Sequence, residues 1–360
     1  MPEEVSPPPL KRRRIDDAAA QSNQAGGDLR IYSWNVNGVQ PFLQPSITSF
    51  LKRERSIGTA RDHRGNAPSL PKASLRDFLR HHDWPTLLLL QEVKINPDDW
   101  ATIRAVEKAV NDLHPNSGPT YKAHFCLPGD KYNARGFGRK VYGVCSVVRI
   151  DFQEAYVDSI HTVGWDKEGR VLVIKTKPIS DLPKLAIINV YAVNGTEHPY
   201  RDPENGQVIG TRHDRKLQVH KLLQRELRGL EDQGYGVVLA GDMNIARATI
   251  DGHPNLRAFP RQHCLNRADF EARFFSTDLI SCDGGEDVPS DRGLGMLDTF
   301  RHLHPDKKGY TYYPRHGQFG ASCDRVDMIM TSRILLRHLA EAGMLETTGD
   351  RATSDHVPLF

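Results

Sequence analysis

The strongest constraint on the fold is a repeated juncture: a short apolar run that stops at a polar cluster. The chain has 360 residues, and this juncture occurs at Ser33-Trp34-Asn35-Val36-Asn37-Gly38 and at Leu87-Leu88-Leu89-Leu90-Gln91-Glu92. It recurs at Val237-Val238-Leu239-Ala240-Gly241-Asp242-Met243-Asn244, and a further polar cluster, Ser354-Asp355-His356, lies just before the final residue, Phe360. Apolar runs of four to eight residues read as buried strands. A carboxylate or amide at such a terminus projects from the sheet rim, where water, a cation or a substrate can reach it. Several strands are therefore expected to deliver oxygen-bearing side chains to one rim.

Further apolar runs predict strands over 29–36, 86–90, 141–149, 170–176, 185–191, 237–240 and 325–330. Residues 212–230 predict a helix, because Val219, Leu222, Leu223, Leu227 and Leu230 recur at three- and four-residue spacing and Gly234 follows. Helices also fit 73–80 and 98–112. Many strands with few crossover helices predict an α/β fold in which two mixed sheets pack face to face with helices outside. The active loops would then gather at one rim.

The apolar runs are far shorter than the ~18 residues of a membrane helix. The five cysteines are scattered without a Cys-x-x-Cys pair, which argues against a disulfide framework or a zinc site. Residues 1–28 read as a tail with no periodic apolar face. Within it, Pro7-Pro8-Pro9 precedes Lys11-Arg12-Arg13-Arg14, a run of the nuclear-import type. A catalytic domain is expected over 29–360, closing where the chain does. An insertion over about 53–71 interrupts it, and residues 52–64 carry five cations against two acids. A second irregular stretch is expected over 192–211.

Hydrolysis of a phosphodiester needs an activated water, a cation to absorb phosphate charge, and donors that hold the group in line. Glu92 is the leading ligand for a hard cation such as magnesium, which prefers oxygen donors. Asp242 suits deprotonation of the water, with Asn244 orienting it from the same strand face. Asp324 and Asp327 are each able to fix the tautomer of His356, and on one strand they would face opposite ways. The other 15 histidines are expected at the surface.

Taken in order, these clusters resemble the exonuclease III-type apurinic/apyrimidinic endonucleases of the endonuclease/exonuclease/phosphatase superfamily. Glu168-Gly169-Arg170-Val171, Asn189-Val190-Tyr191-Ala192-Val193-Asn194 and Arg325-Val326-Asp327 complete the set. The resemblance runs from about residue 29 to residue 360. It implies a four-layered α/β sandwich with one rim site, and magnesium, for which manganese substitutes. Metal ligation falls on Glu92 with Asn37 and Asp355 nearby, and a wider set adds Asp242, Asn244 and His356. Phosphate positioning falls on Asn35, Asn194 and Tyr191, water activation on Asp242 with Asn244, and the histidine dyad on His356 with Asp327. The implied partner is double-stranded DNA, abasic or nicked, bound by a monomer in the nucleus. Tyr191 favours the repair branch, because nuclease and phosphatase relatives have histidine there. Tyr312 is a candidate to stack or wedge against DNA, or else to pack in the core. Asp324 stands where family members commonly have tryptophan, and an acid cannot form an apolar wall for a flipped-out sugar. Less selective nucleases and inositol-polyphosphate phosphatases share this catalytic frame and form the alternative reading; a non-catalytic nucleic-acid-binding relative ranks below it.

Overall fold

The structure is a computed structural model that describes residues 28–43, 74–111, 118–134, 142–278, 292–315 and 319–360. The basic run at 11–14 and the insertion at 53–71 lie outside these residues. Strands β1 (Ile31–Asn35), β2 (Leu87–Gln91), β3 (Tyr121–Cys126) and β4 (Val144–Arg149) form one sheet in the order β1-β2-β4-β3. A second sheet begins with β5 (Val157–Thr162), β6 (Val171–Thr176) and β7 (Leu185–Tyr191). The supposedly irregular stretch holds a hairpin, β8 (Pro199–Arg201) and β9 (Val208–Thr211). After it come β10 (Gly236–Asp242), β11 (Gly252–His253), β12 (Leu297–Asp298), β13 (Cys323–Asp324) and β14 (Asp327–Thr331). The second sheet has the order β12-β14-β10-β7-β6-β5, while β11 pairs with β13 alone. Each large sheet is mixed: β1 runs parallel to β2 and β7 parallel to β10, against antiparallel neighbours.

Three apolar layers account for the stack. Leu87, Leu89 and Val148 of the first sheet meet Ile174, Leu185, Ile187, Val238, Ala240 and Ile329 of the second. Outside the first sheet, Leu75, Phe78, Leu79 and Val106 from two helices cover Trp34, Leu88 and Leu90. Outside the second, Leu223, Leu227, Phe270 and Phe274 cover Ile188, Val190, Val237 and Leu239. The result is the four-layered α/β sandwich, with both central sheets buried on both faces.

The strands that sequence patterning passes over have a common cause. None of the six residues of β5, Val-Asp-Ser-Ile-His-Thr, is fully buried, so an edge strand carries too little apolar signal to stand out. In β3, exposed Lys122 and half-buried His124 interrupt the run. The helix Gln262–Phe270 likewise buries only Asn266 and Phe270. Strand β10 also runs two residues beyond its expected end, because β7 and β14 continue beside it to Tyr191 and Asp327.

Gly241 is required by this packing. Its φ is +149°, and a Cβ there would lie 1.8 Å from the Val190 carbonyl oxygen on β7, closer than any real contact. Gly229, inside the helix Arg212–Asp232, faces open space. Gly241→Ala is therefore expected to cost more than about 3 kcal/mol, and Gly229→Ala to stabilise by about 0.5–1 kcal/mol. Thermal melts of the two variants check this, and a Gly241→Ala protein melting with the parent would contradict it.

Candidate active site

Strand register assembles the site. In the second sheet Asp242 pairs across β10 with Tyr191 on one side and Asp327 on the other. Paired residues in adjacent strands project their side chains to the same face, so a phenol and two carboxylates form one row. His356 completes the row: its Nδ1 lies 2.8 Å from Asp327 Oδ2. The choice between Asp324 and Asp327 is thus made by contact, since Asp324 belongs to the separate short strand β13. Arg325 holds that junction; its buried guanidinium lies 2.7 Å from Asp251 Oδ1 and 2.6 Å from Asp298 Oδ2. The backbone N–H groups of Val326 and Asp327 both donate to the Thr311 hydroxyl.

The first sheet supplies the facing side. Asn35 at the end of β1 donates from Nδ2 to Asp242 Oδ2 at 2.9 Å and to Glu92 Oε1 at 3.1 Å. One amide thereby bridges acids from two sheets. Asn37 donates to Asp355 Oδ1 at 2.7 Å. The Lys94 ammonium sits 3.0 Å from Glu92 Oε2 and also donates to Asn37 Oδ1. Ser354 anchors the C-terminal cluster by donating to the Asn35 carbonyl at 2.6 Å. Asn37, Glu92 and Asn244 all have left-handed backbones, with φ of +50°, +49° and +52°. Glu92 in particular pays about 1 kcal/mol or more for that conformation.

Asn244 reaches the pocket through a turn and not by strand alternation. The strand ends at Asp242, and the Asn244 N–H folds back onto Asp242 Oδ1 at 2.8 Å. Its side-chain amide donates to the Ala192 carbonyl at 3.1 Å.

Proximity of these groups shifts their protonation. Burial raises the Asp242 carboxyl and the Asp327 carboxylate raises it further, to about 7. Burial opposes the charged form of His356, but Asp327, with Asp242 and Asp355, outweighs it and lifts the imidazole to about 10. Burial likewise opposes ionisation of Glu92, yet Lys94 and hydrogen bonds from Tyr191 and Asn35 hold it below the usual carboxylate range. Burial and Glu92 push the Tyr191 phenol well above its ordinary value, so it is a neutral donor.

A hard divalent cation fits this donor set. Oxygen ligands dominate it, and Asp242, Asp327 and His356 each offer an atom within 4.8 Å of the others. Among the described residues Asp327 Oδ1 is buried with no hydrogen-bond partner, and the Lys94 ammonium already rests on Glu92 and Asn37.

The cavity at the row, about 230 Å³, is lined by Asn37, Glu92, Tyr191, Asn194, Asp242, Asn244, Tyr312, Asp355 and His356. Asn35 lies fully buried just behind it. Tyr312 is half-buried in the cavity wall; its ring packs 4.9 Å from His356 and its backbone pairs with Asp324. A second cavity of about 490 Å³, with Tyr142, Arg170, Arg201 and Arg212, meets the first at Tyr191 and Asn194.

The surface expectation for the remaining histidines fails at His213 and His220, which are each 2% exposed, and His263 lines the cavity. The sequence reading also passes over Lys216, Arg257, Asn266 and Arg267 in the cavity wall. A signal existed for three of these positions. His213, Lys216 and His220 continue, at helical spacing, the stripe formed by Leu223, Leu227 and Leu230.

The sequence profile of the Endonuclease/Exonuclease/phosphatase family matches residues 32–356, and the chain belongs to that family. It is 26% identical over 353 residues to mouse DNA-(apurinic or apyrimidinic site) endonuclease 2, covering 92% of this chain and 59% of the relative. It is 25% identical over 350 residues to Drosophila melanogaster Recombination repair protein 1, covering 95% of this chain and 38% of that one. The chain thus spans less than two thirds of the length of these curated relatives. Among solved structures, the Xenopus laevis APE2 catalytic domain superposes with a TM-score of 0.56 at 20% identity, covering 92% of this chain and 90% of that one. AP endonuclease LMAP from Leishmania major gives 0.60 at 18%, covering 92% and 86%. These likenesses establish the fold.

The raised Asp242 carboxyl favours folding below its unfolded pKa of about 3.9, and that contribution disappears as pH rises through about 7. The chelator-treated parent is expected to lose melting temperature relative to Asp242→Asn between about pH 4 and pH 7, with a divalent cation flattening the difference, while His220 and His263, lowered to about 4, act in the opposite sense in both proteins. Asp242→Asn should remove this part of the slope. Melts in chelator across that range check it, and an unchanged slope in the variant would assign it elsewhere.

Proposed function

We propose that this chain is a divalent-cation-dependent DNA phosphodiesterase of base excision repair. It would cut the strand 5′ of an abasic site to leave a 3′-hydroxyl, and trim blocked 3′ ends. The observation that carries the reading is the row Tyr191–Asp242–Asp327, closed by His356 and faced by Asn35 and Glu92. The names of the mouse and Drosophila relatives support repair as the setting.

Magnesium, or manganese in its place, would be held by Glu92, Asp355 and the side-chain oxygen of Asn37, with Asp242, Asn244 and, only when its imidazole is neutral, His356 as the wider set. When bound it supplies a Lewis acid that neutralises phosphate charge and makes water more acidic. Asp242, with its pKa near neutrality, accepts the proton of the attacking water, and Asn244 orients that water. The His356 imidazolium, aligned by Asp327, donates to a phosphate oxygen as charge grows there. The neutral Tyr191 phenol and exposed Asn194 hold the remaining phosphate oxygens, Asn35 serves phosphate positioning from behind the cavity by holding Asp242 and Glu92, and Tyr312 lines the path of the adjoining residue. A nuclear location rests on the basic run at 11–14, and the partner is double-stranded DNA, abasic or nicked, bound by a monomer. Asp324 in the cavity wall favours a second reading, a less selective nuclease or a phosphatase on the same frame.

Asp242→Asn and His356→Ala are each expected to lower kcat on an abasic duplex by about 10²-fold or more in magnesium. The same assay on an intact duplex and on a soluble inositol phosphate separates the readings. Nicking the intact duplex as fast as the abasic one, or releasing phosphate from the inositol, transfers the assignment to the second reading.

A further inference from the structure

The catalytic cavity is lined by four acids, Glu92, Asp242, Asp324 and Asp355. The second cavity, which meets it at Tyr191 and Asn194, is lined by none among the described residues. Sheet order explains the separation. Asp327 and Asp242 lie on β14 and β10, Tyr191 follows on β7, and Arg170 directly precedes β6. The second cavity therefore opens on the β6 side of the phenol, away from His356. Its charge is one-sided. Glu168 is the acid behind the wall, and Arg170, Arg212 and Arg215 share it, so one carboxylate faces three guanidiniums. The Arg212 Nη1 is buried with no hydrogen-bond partner among the described residues. Arg201 adds a further cation, which forms no ion pair with a described residue. This side chain is nevertheless held in place. The Asn133 amide clamps its backbone, accepting from the Arg201 N–H at 2.9 Å and donating to the Arg201 carbonyl at 2.7 Å. Arg201 Nη1 donates to the Gly206 carbonyl at 2.9 Å, which leaves Nε and Nη2 without a partner among the described residues.

Two half-buried tyrosines, Tyr132 and Tyr142, line the same space. Lys131 lies over the Tyr132 ring at 4.9 Å and Arg170 over the Tyr142 ring at 4.6 Å. Aromatic rings combined with arginines are the elements on which nucleobases stack. The cavity measures about 490 Å³, within the ~300–1,000 Å³ of sites that enclose drug-sized ligands. It thus has room for a base and a sugar beside a phosphate. A bare phosphate would leave the tyrosines uncovered, and a neutral nucleoside would desolvate the arginines without replacing their water. We propose that the second cavity is a nucleotide subsite: it takes one nucleoside monophosphate unit, with the phosphate on Arg201 and Arg212 and the base against Tyr132 and Tyr142. Two sources supply that chemistry, the mononucleotide released by 3′-end trimming and a residue of the bound strand next to the cut. Only the choice of source rests on the phosphodiesterase reading above; the binding does not.

Binding is measured first, by ligand-detected NMR on the full chain in chelator, so that no cation in the catalytic cavity recruits phosphate. The probes are deoxyadenosine 5′-phosphate, deoxyadenosine and 2-deoxyribose 5-phosphate. The nucleotide is expected to bind about tenfold or more tightly than either part, as base stacking and charge-assisted hydrogen bonds provide. Arg201→Gln, at an exposed position, should bring the nucleotide to within about twofold of deoxyadenosine at an unchanged melting temperature. Arg201→Lys should restore part of the difference. Equal affinity for the nucleotide and for 2-deoxyribose 5-phosphate would overturn the subsite, as would a nucleotide affinity that survives Arg201→Gln. Nicking of an abasic duplex in magnesium then separates the two sources. A duplex KM unchanged by Arg201→Gln and by added nucleotide assigns the cavity to the released product, and a KM raised by both assigns it to the strand. Failure to nick would overturn the phosphodiesterase reading and leave the binding result standing.

Discussion

A buried pair of amides sets the alignment on which the site depends. Gln91 at the end of β2 donates from Nε2 to Asn189 Oδ1 on β7 at 2.8 Å, linking strands from opposite sheets. Asn189 returns donors to the Cys145 carbonyl and the Ser146 hydroxyl on β4, and Gln91 also reaches Ser33 on β1. Apolar faces alone would let two sheets slide with little penalty, since dispersion contacts are non-directional. Buried amides allow no such slip, because a displaced partner leaves a desolvated polar group at about 1–3 kcal/mol each. Glu92 follows Gln91 directly, and Tyr191 lies two residues beyond Asn189 on the same face. The pin therefore fixes the distance between the two halves of the site.

Given that alignment, the crowding of acids is sustained by donors and not by distance. Asn35 spans Asp242 and Glu92, Asn37 serves Asp355, Lys94 serves Glu92, and His356 serves Asp327. Each acid has an assigned donor, which is why a fully buried row can hold two carboxylates side by side. The left-handed backbones at Asn37, Glu92 and Asn244 follow from the same demand. Extended conformations would carry these side chains past the rim, whereas a local reversal turns them back over the strand ends.

The parts of this arrangement that were legible in the sequence are those decided within a few residues. A strand ending in Glu92 or Asp242 announces itself, because an apolar run and its polar stop are adjacent letters. The meeting of Tyr191, Asp242 and Asp327 depends on register between strands 51 and 85 residues apart, and no local pattern encodes it; family resemblance supplied it. The leucines of the helix Arg212–Asp232 predict it, yet they do not mark its cavity-facing end. Periodicity counted on apolar residues alone stops at Val219, while the buried stripe continues through His220, Lys216 and His213. His213 and His220 are expected at the surface, and their position on the stripe places them inside.

The cage behind Tyr191 explains how a single phenol can serve two cavities. Arg170 packs under its ring at 4.9 Å and under Tyr142 at 4.6 Å. Glu168, fully buried, accepts from Arg170 at 3.0 Å, Arg212 at 2.7 Å and Arg215 at 3.1 Å. Burial alone would raise its pKa, and the three cations reverse this, to about 2. Such a cluster adds little net stability over an apolar one, but its removal would strand buried charge at about 3–5 kcal/mol. Its physical effect is to hold the guanidinium, whose displacement would break its pairing with Glu168, and the Tyr191 ring packs on that held plane. A phenol so held donates to Glu92 from a fixed position. The ordering that a loose tyrosine would undergo on binding a phosphate, up to about 1.5 kcal/mol of side-chain entropy, has here already occurred in folding.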